Sequence, residues 1–312
     1  MSDFEAILKA YERAGGDASF LESSQVASLV ISGNDVLGAN AVPGLHVDPE
    51  PLDDGVKVTL RLDPDVQVEN PVHLCFGVVP EKGVQRILVD FDIGERASVE
   101  FRAHCTFPNA VEVEHLMEGT IHVGAGATMR YEETHYHGEE GGVRVVPKAH
   151  VIVGEGARYI STFNQKQGRA GKIEFDYEVD IEARGVAELN ARAMGYEDDD
   201  ITIKETIRLN GEGARGVAKS RLALRDRARG KVYGTTEGNA PFTRGHVDCV
   251  EIVRDEAEAD AIPVVRVTDH RAKVTHEAAI GTVDKKELET LMTRGLNEEA
   301  AVDIIVQGML DA

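Results

Sequence analysis

The chain has 312 residues, 42% of them hydrophobic, enough to bury a substantial core in one or two ordinary domains or in one elongated repeat domain. Aromatic residues make up only 5% and tryptophan is absent, so small and β-branched side chains must do the packing, which suits thin regular layers. With 34 Lys and Arg against 55 Asp and Glu, the net charge of −21 repels phosphate backbones and anionic lipid surfaces, and the sequence has no basic patch that would bring in nucleic acid or a membrane.

In chain order, the first expected element is an amphipathic helix. Ser2 with Glu5 makes a capping box, Phe4, Ile7, Leu8 and Tyr11 share one face, and Gly15-Gly16 stops it. This start has neither a positively charged lead nor an apolar signal core, and no run of about 18 apolar residues follows anywhere. The three cysteines, Cys75, Cys105 and Cys249, are an odd number that argues against a disulfide framework, so a reducing cytoplasm is expected. From Ser19 to Gly55 the signals are mixed, with turn chemistry at Gly33-Asn34-Asp35, Pro43-Gly44 and Asp53-Asp54-Gly55. Residues 1–55 are read as a helix and a lead-in.

Alternation then takes over. Val56, Val58, Leu60 and Leu62 alternate with polar neighbours, and short strands separated by Gly-rich or acidic turns continue to Gly281. The turns recur: IGERASV, VGAGATM, VGEGARY, EARGVAE and NGEGARG place Ala97, Ala127, Ala157, Val186 and Ala214 at steps of 30, 30, 29 and 28 residues. A period of about 30 with a half-period of about 15 predicts a β-solenoid over residues 56–283, in which each rung needs its neighbour to bury its inner face. Gly94, Gly124, Gly126, Gly154, Gly156, Gly211 and Gly213 suit the positive φ of sharp corners, and alanine beside them lets rungs stack closely. An antiparallel sandwich is the structural alternative.

Residues 284–312 turn helical. Asp284 with Glu287 is a second capping box, Gly295 a helix-ending glycine, and Asn297 a cap for a helix carrying the stripe Val302, Ile305, Val306 and Met309. Two such short helices must dock on something, either the open end of the solenoid or a partner protein.

The chemistry gathers between Thr243 and Gly281, where Cys249, His246, His270, His276 and Glu277 fall within one stretch. A thiolate there can accept sulfur or ligate iron, with imidazole and carboxylate completing an exchangeable sphere. Alternation limits the idea: Cys249 shares a face with Val247 and Glu251, His246 joins it only if Gly245 bends the strand, and one of His276 and Glu277 points in while the other points out. From the residues alone, Cys249 stays open between a ligand and a plain buried thiol, and His276 between a ligand and a structural histidine. Cys105 follows His104, but adjacent strand residues face opposite ways, and Cys75 between Leu74 and Phe76 reads as inert core. His135 and His137 share a strand face and are a candidate metal pair, although a hydrated strand end is the expected reading. Gly124-Ala125-Gly126 lacks a following helix and a phosphate-binding lysine, so no nucleotide site is expected and any ATP chemistry belongs to a partner.

Taken together, GHVDC, AIP, VTHEAAIG and the closing ELETLMTRGLNEEAAVDIIVQGML resemble the SufB/SufD family of iron–sulfur cluster assembly scaffolds, most closely the compact archaeal SufB-like type. The resemblance implies a mainly β fold, a right-handed parallel β-helix with short terminal helical segments, and a non-enzymatic scaffold. It implies partners: a second copy of the chain as a homodimer, a SufC-type ABC ATPase on the C-terminal helices, a sulfur donor and apo-protein acceptors. A transient iron–sulfur cluster is the expected cargo. HCTFP matches a GCTAP-like stretch, which would make Cys105 a sulfur acceptor, and THEA maps paired ligands onto His276 and Glu277. A cysteine usual before the Ile-Pro segment is missing near Ala257, leaving Cys249 as the nearest acceptor, with His246, His276 and Glu277 as companions in the metal site. Two rivals stay open. One is a SufD-like partner that holds the ATPase and binds no cluster. The other, a solenoid enzyme acting on polysaccharide, is disfavoured by the few aromatics.

Overall fold

The computed structural model describes residues 3–311, which hold nineteen strands and four helices. Ser2, half of the first capping box, lies outside them. The chain begins with α1 (Asp3–Arg13) and α2 (Ala18–Glu22), followed by β1 (Ser28–Ser32), β2 (Asp35–Asn40), β3 (Leu45–Leu52), β4 (Gly55–Leu62) and β5 (Val72–Gly77). The regular coil runs through β6 (Lys82–Ile93), β7 (Ser98–Thr106), β8 (Glu112–Val123), β9 (Thr128–Tyr136), β10 (Val143–Val153), β11 (Arg158–Gln167) and β12 (Lys172–Ile181). It continues through β13 (Val186–Gly195), β14 (Asp200–Leu209), β15 (Arg215–Leu224), β16 (Arg229–Gly238), β17 (Arg244–Val253), β18 (Glu258–Val267) and β19 (Lys273–Gly281), then α3 (Lys285–Met292) and α4 (Glu298–Asp311).

From β5 onward odd strands stack in one sheet and even strands in another; β5 pairs in parallel with β1, and every later strand with the strand two places earlier. The sheets are a parallel β-solenoid, one coil per two strands. Among the described residues only β1–β2 and β3–β4 are antiparallel, and they end the stack at the N-terminal side. Strict alternation builds the core: in β12, Ile173, Phe175, Tyr177, Val179 and Ile181 are buried, and their partners Ile201, Ile203, Ile207 and Leu209 continue the ladder in β14. Burying each such side chain is worth about 1.5–3 kcal/mol, so the stack is held mainly by its lumen.

The segment with mixed signals is ordered. β1 shows no alternation because both faces are covered: Leu29 and Ile31 enter the lumen, while Val30 lies under α1 with Ile7, Tyr11 and Cys75. Two sheets therefore begin well before residue 56, where alternation becomes legible.

The corners correct one expectation. Gly126, Gly156 and Gly213 do take positive φ, sharing that left-handed corner with Arg96 and Arg184, but Gly94, Gly124, Gly154 and Gly211 do not. They are glycine for lack of room: a Cβ on Gly124 would lie 2.8 Å from Ile93 O of the previous rung. Ala97, Ala127, Ala157 and Ala214 beside these corners are fully buried, as close stacking requires.

Outward positions carry charges paired one rung apart, such as Arg208 with Glu178 at 2.9 Å and Arg144 with Glu174 at 2.8 Å. Such exposed pairs contribute a few tenths of a kcal/mol each and set the register more than the stability.

At the other end, Asp284 accepts a hydrogen bond from Glu287 N at 2.9 Å and Asn297 from Ala300 N at 2.8 Å, so both caps form. Helix α4 buries Ala301, Val302, Val306 and Leu310 against Met194, Ala223 and Ile252, on the outer flank of the odd sheet. The buried stripe is thus rotated from the expected one, with Ile305 and Met309 only half covered. The open end is left bare, and α3 buries no side chain. Among the described residues no helix is long and apolar enough to cross a membrane.

Candidate functional site

Charged side chains at inward positions are the exception in this lumen, and they collect in two places. The first surrounds Cys249. On β17 the inward positions are Val247, Cys249 and Glu251, and the outward ones His246 and Asp248. The β15–β17 register runs from Arg215–Arg244 to Leu224–Val253 without a bulge, so Gly245 does not bend the strand. His246 stays outside, its Nδ1 2.9 Å from Thr275 Oγ1.

β19 repeats the phase of β17. Val247 pairs with His276, Asp248 with Glu277 and Cys249 with Ala278, which puts His276 on the lumen face and Glu277 on the outer one. Both are exposed, because no rung covers β19. His276 is a diagonal neighbour of Cys249, with an expected Cβ separation of about 7–8 Å that one ion or cluster can bridge. His246 and Glu277 do not converge with Cys249 within one chain, and His270 projects from an exposed turn.

Burial pushes the Cys249 thiol up to about 12, helped by the carboxyls of Glu251 and Glu205. Burial also lifts Glu205 to about 8 and Glu251 to about 7. Glu205 Oε2 accepts from Ser220 Oγ at 3.1 Å, whereas neither oxygen of Glu251 has a partner. Glu251 also lines an open cleft of about 550 Å³ with Ile280, Asp284 and Ile305. At neutral pH the thiol is therefore protonated and unreactive until a cation arrives to stabilise the thiolate.

The second place lies deep inside. Cys105 on β7 and Glu133 on β9 point inward from adjacent rungs of one sheet, and His115 on β8 faces them from the other. Their ligand atoms lie within 4.8 Å of one another, and all three residues are at most 1% exposed. The Cys105 thiol donates to Glu133 Oε1 at 3.5 Å, and His135 Nε2 lies 2.6 Å from the same oxygen. His135 Nδ1 is 3.0 Å from His137 Nε2, and His137 Nδ1 is 3.0 Å from Ala170 O. A carbonyl only accepts, so His137 Nδ1 carries hydrogen. With both rings neutral, the chain then runs back to a protonated Glu133 that donates to His135.

The surroundings agree with neutral groups. Burial raises Glu133 to about 7 and lowers His115, His135 and His137 to about 3. Phe107 and Phe163 wall the site, with ring centroids 5.1 Å from His115 and 4.8 Å from His135. His135 and His137 are thus buried members of a polar chain, which overturns their reading as a hydrated strand end: turn residues 138–142 do follow, but β11 and the facing sheet close over them.

Cys105 and His104 do face opposite ways, His104 meeting the Tyr11 ring at 4.5 Å under α1. Cys75 is buried as expected, though on the outer face beneath α1 and not in the lumen. Five rungs separate β7 from β17, about 24 Å at the usual strand spacing of roughly 4.8 Å, so Cys105 and Cys249 cannot share one site. His115, Glu133 and Glu205 were not singled out from the sequence, although each is a titratable residue at an inward position of an alternating strand, which is the signal that could have found them.

Comparison with known proteins agrees with this architecture. Residues 81–309 match the family model for the SufBD core domain of SUF-system FeS cluster assembly. The chain is 36% identical over 282 residues to an iron–sulfur cluster assembly SufBD family protein of Methanocaldococcus jannaschii, covering 90% of this chain and 89% of that one. It is 33% identical over 310 residues to a protein of the same description from Pyrococcus horikoshii, covering 99% and 94%.

Proposed function

Because the chain belongs to the SufBD family of iron–sulfur cluster assembly proteins, we propose that it is the scaffold on which a cluster is built, working as a homodimer with a SufC-type ATPase. Cys249 accepts sulfur and ligates iron, His276 joins it from the next rung, and Glu277 and His246 contribute from the outer face across the interface between two chains. Cys105 is a sulfur acceptor only in a state that opens the rungs around it.

The observation that carries this reading is the bare terminal rung. Ile262, Val264, Val265, Val267 and Ile280 are 39–48% exposed on β18 and β19, whose outer edges have no strand partner. An open, apolar parallel edge is a template for pairing with another chain, and Cys249 lies one rung inside it. A second copy seated there brings two thiols and two His276–Glu277 pairs together, and the charge of the entering iron stabilises the thiolates. For the ATPase, the segment 284–312 offers α3, where only Leu288 packs partly against the flank, and the exposed Met292 and Ile304.

Anaerobic reconstitution of wild type and Cys249→Ser tests the assignment: the wild type gains sulfur-to-iron charge-transfer absorption and the variant loses it. Equal cluster content in both contradicts the role of Cys249, and no cluster in either supports a SufD-like partner instead. Deleting residues 284–312 is expected to abolish co-purification with the ATPase while the solenoid stays folded.

A further inference from the structure

That function rests on Cys249 and uses the deep cluster only through Cys105 in an opened state; an ion held in the closed coil occupies Cys105 and leaves Cys249 as the sulfur acceptor. The deep cluster joins three residue types that ligate transition metals, from three successive strands and both sheets, in a lumen filled mostly by aliphatic and aromatic side chains. We propose that Cys105, His115 and Glu133 form a resident site for a single divalent transition ion of the zinc class, which ties the two sheets together from inside.

Two independent observations point to a ligand. First, both ring nitrogens of His115 lack a hydrogen-bond partner although the side chain is fully buried. A neutral imidazole carries one N–H and one lone pair, so His115 leaves both unused at the centre of the fold, where such groups are nearly always satisfied. Glu133 Oε2 has no partner at hydrogen-bond geometry, although the Tyr131 and Tyr177 hydroxyls interact with the carboxyl, while Oε1 is engaged by Cys105 and His135. The orphaned atoms are thus donor atoms of the very residues that share a ligand-sized space.

Second, the spacing and charge fit an ion. Bonds of about 2.3 Å to sulfur and about 2.0–2.2 Å to oxygen at a tetrahedral angle put the two ligand atoms about 3.5 Å apart. Cys105 Sγ and Glu133 Oε1 are separated by 3.5 Å. One thiolate and one carboxylate neutralise a divalent cation, and His115 adds a neutral nitrogen, so occupancy buries no net charge at these ligands. Mixed sulfur, nitrogen and oxygen donors in a compact set suit zinc or cobalt and not calcium or magnesium. Loading displaces the thiol proton of Cys105, while the acid proton of Glu133 passes to His135 Nε2. That ring already donates through Nδ1 to His137, so it becomes an imidazolium that donates to the Glu133 carboxylate, the orienting role that outer partners take around metal ligands. No ligand atom reaches the surface, so the ion enters while the coil folds and is then retained against chelators.

The test uses the full chain with Cys249→Ser as background, so that no cluster chemistry contributes, expressed with added cobalt and dialysed against EDTA. The expected result is about one cobalt per chain by elemental analysis, with thiolate-to-cobalt charge-transfer absorption in the near ultraviolet, intense visible d–d bands and a raised melting temperature over metal-free protein. Cys105→Ser on that background should lose the charge-transfer band while keeping its strand-type circular dichroism. If Cys105→Ser does not fold, Glu133→Gln, which keeps the shape and removes the anionic donor, should retain less than a tenth of the cobalt. Only trace cobalt in the parent, or an unchanged charge-transfer band in Cys105→Ser, overturns the proposal and leaves the cluster as a neutral hydrogen-bonded network. Because the parent lacks Cys249, either outcome is separate from whether the chain builds clusters.

Discussion

Glu205→Gln should make the protein more stable and flatten its dependence on pH. Glu205 is 1% exposed, its one hydrogen bond is to Ser220 Oγ, and burial raises its pKa from 4.5 to about 8. A carboxyl whose folded pKa lies above its unfolded value favours the folded state fully below pH 4.5, and that advantage is lost as pH rises toward 8. At 1.36 kcal/mol per pH unit, the gap between 4.5 and 7 amounts to about 3 kcal/mol of lost stability at neutral pH, rising toward about 5 kcal/mol above pH 8. Glutamine keeps the acceptor for Ser220 and does not ionise. Chemical denaturation of wild type and Glu205→Gln from pH 5 to 9 should therefore give nearly equal midpoints at pH 5 and a variant midpoint increasingly above wild type from pH 6 upward. Parallel curves across this range would refute the buried-acid account, and with it the argument that the lumen around Cys249 keeps its groups neutral.

Other changes probe the remaining parts. Ile203→Ala, in the fully buried ladder of β14, should cost about 2–5 kcal/mol in equilibrium unfolding because the stacked rungs cannot collapse into the space. Gly211→Ala should destabilise by at least about 1–3 kcal/mol, since the new Cβ falls 1.9 Å from Ala183 N, whereas a change at exposed Gly308 with nothing nearby should be almost silent. Asp284→Ala removes the cap on Glu287 N and should cost α3 about 0.5–2 kcal/mol, weakening ATPase binding in pull-down while the main unfolding transition stays put.

Much of this fold could be read in the sequence because a solenoid repeats its local chemistry: Ala97, Ala127 and Ala157 mark corners at one period, and alternation marks every rung. β1 escaped because both of its faces are covered, which erases the alternation. The glycines at 94 and 124 were read for backbone freedom when the nearby rung was the constraint, a contact that no single segment reveals. The same limit governs the sites. The phase of β17 was legible, so Cys249 and Glu251 were put on one face, but only the register with β19 decides between His276 and Glu277. Cys105, His115 and Glu133 sit on strands of alternating sheets, and their meeting depends on how the facing sheets oppose each other. The phase of α4 is set by the flank at Ala223 and Ile252 that receives Val302, Val306 and Leu310, a surface that the helix's own sequence does not reveal.

On the proposed function, the cluster forms across two bare terminal rungs and not within one chain. Val264→Lys tests it, because Val264 is 47% exposed on β18 and its replacement disturbs no core contact while placing a charge on the edge. Iron and sulfide should be measured after anaerobic reconstitution, alongside the mass in solution. The expected product is a folded monomer that retains Cys249 and holds no cluster; a monomer with wild-type iron and sulfide would rule out assembly across the interface.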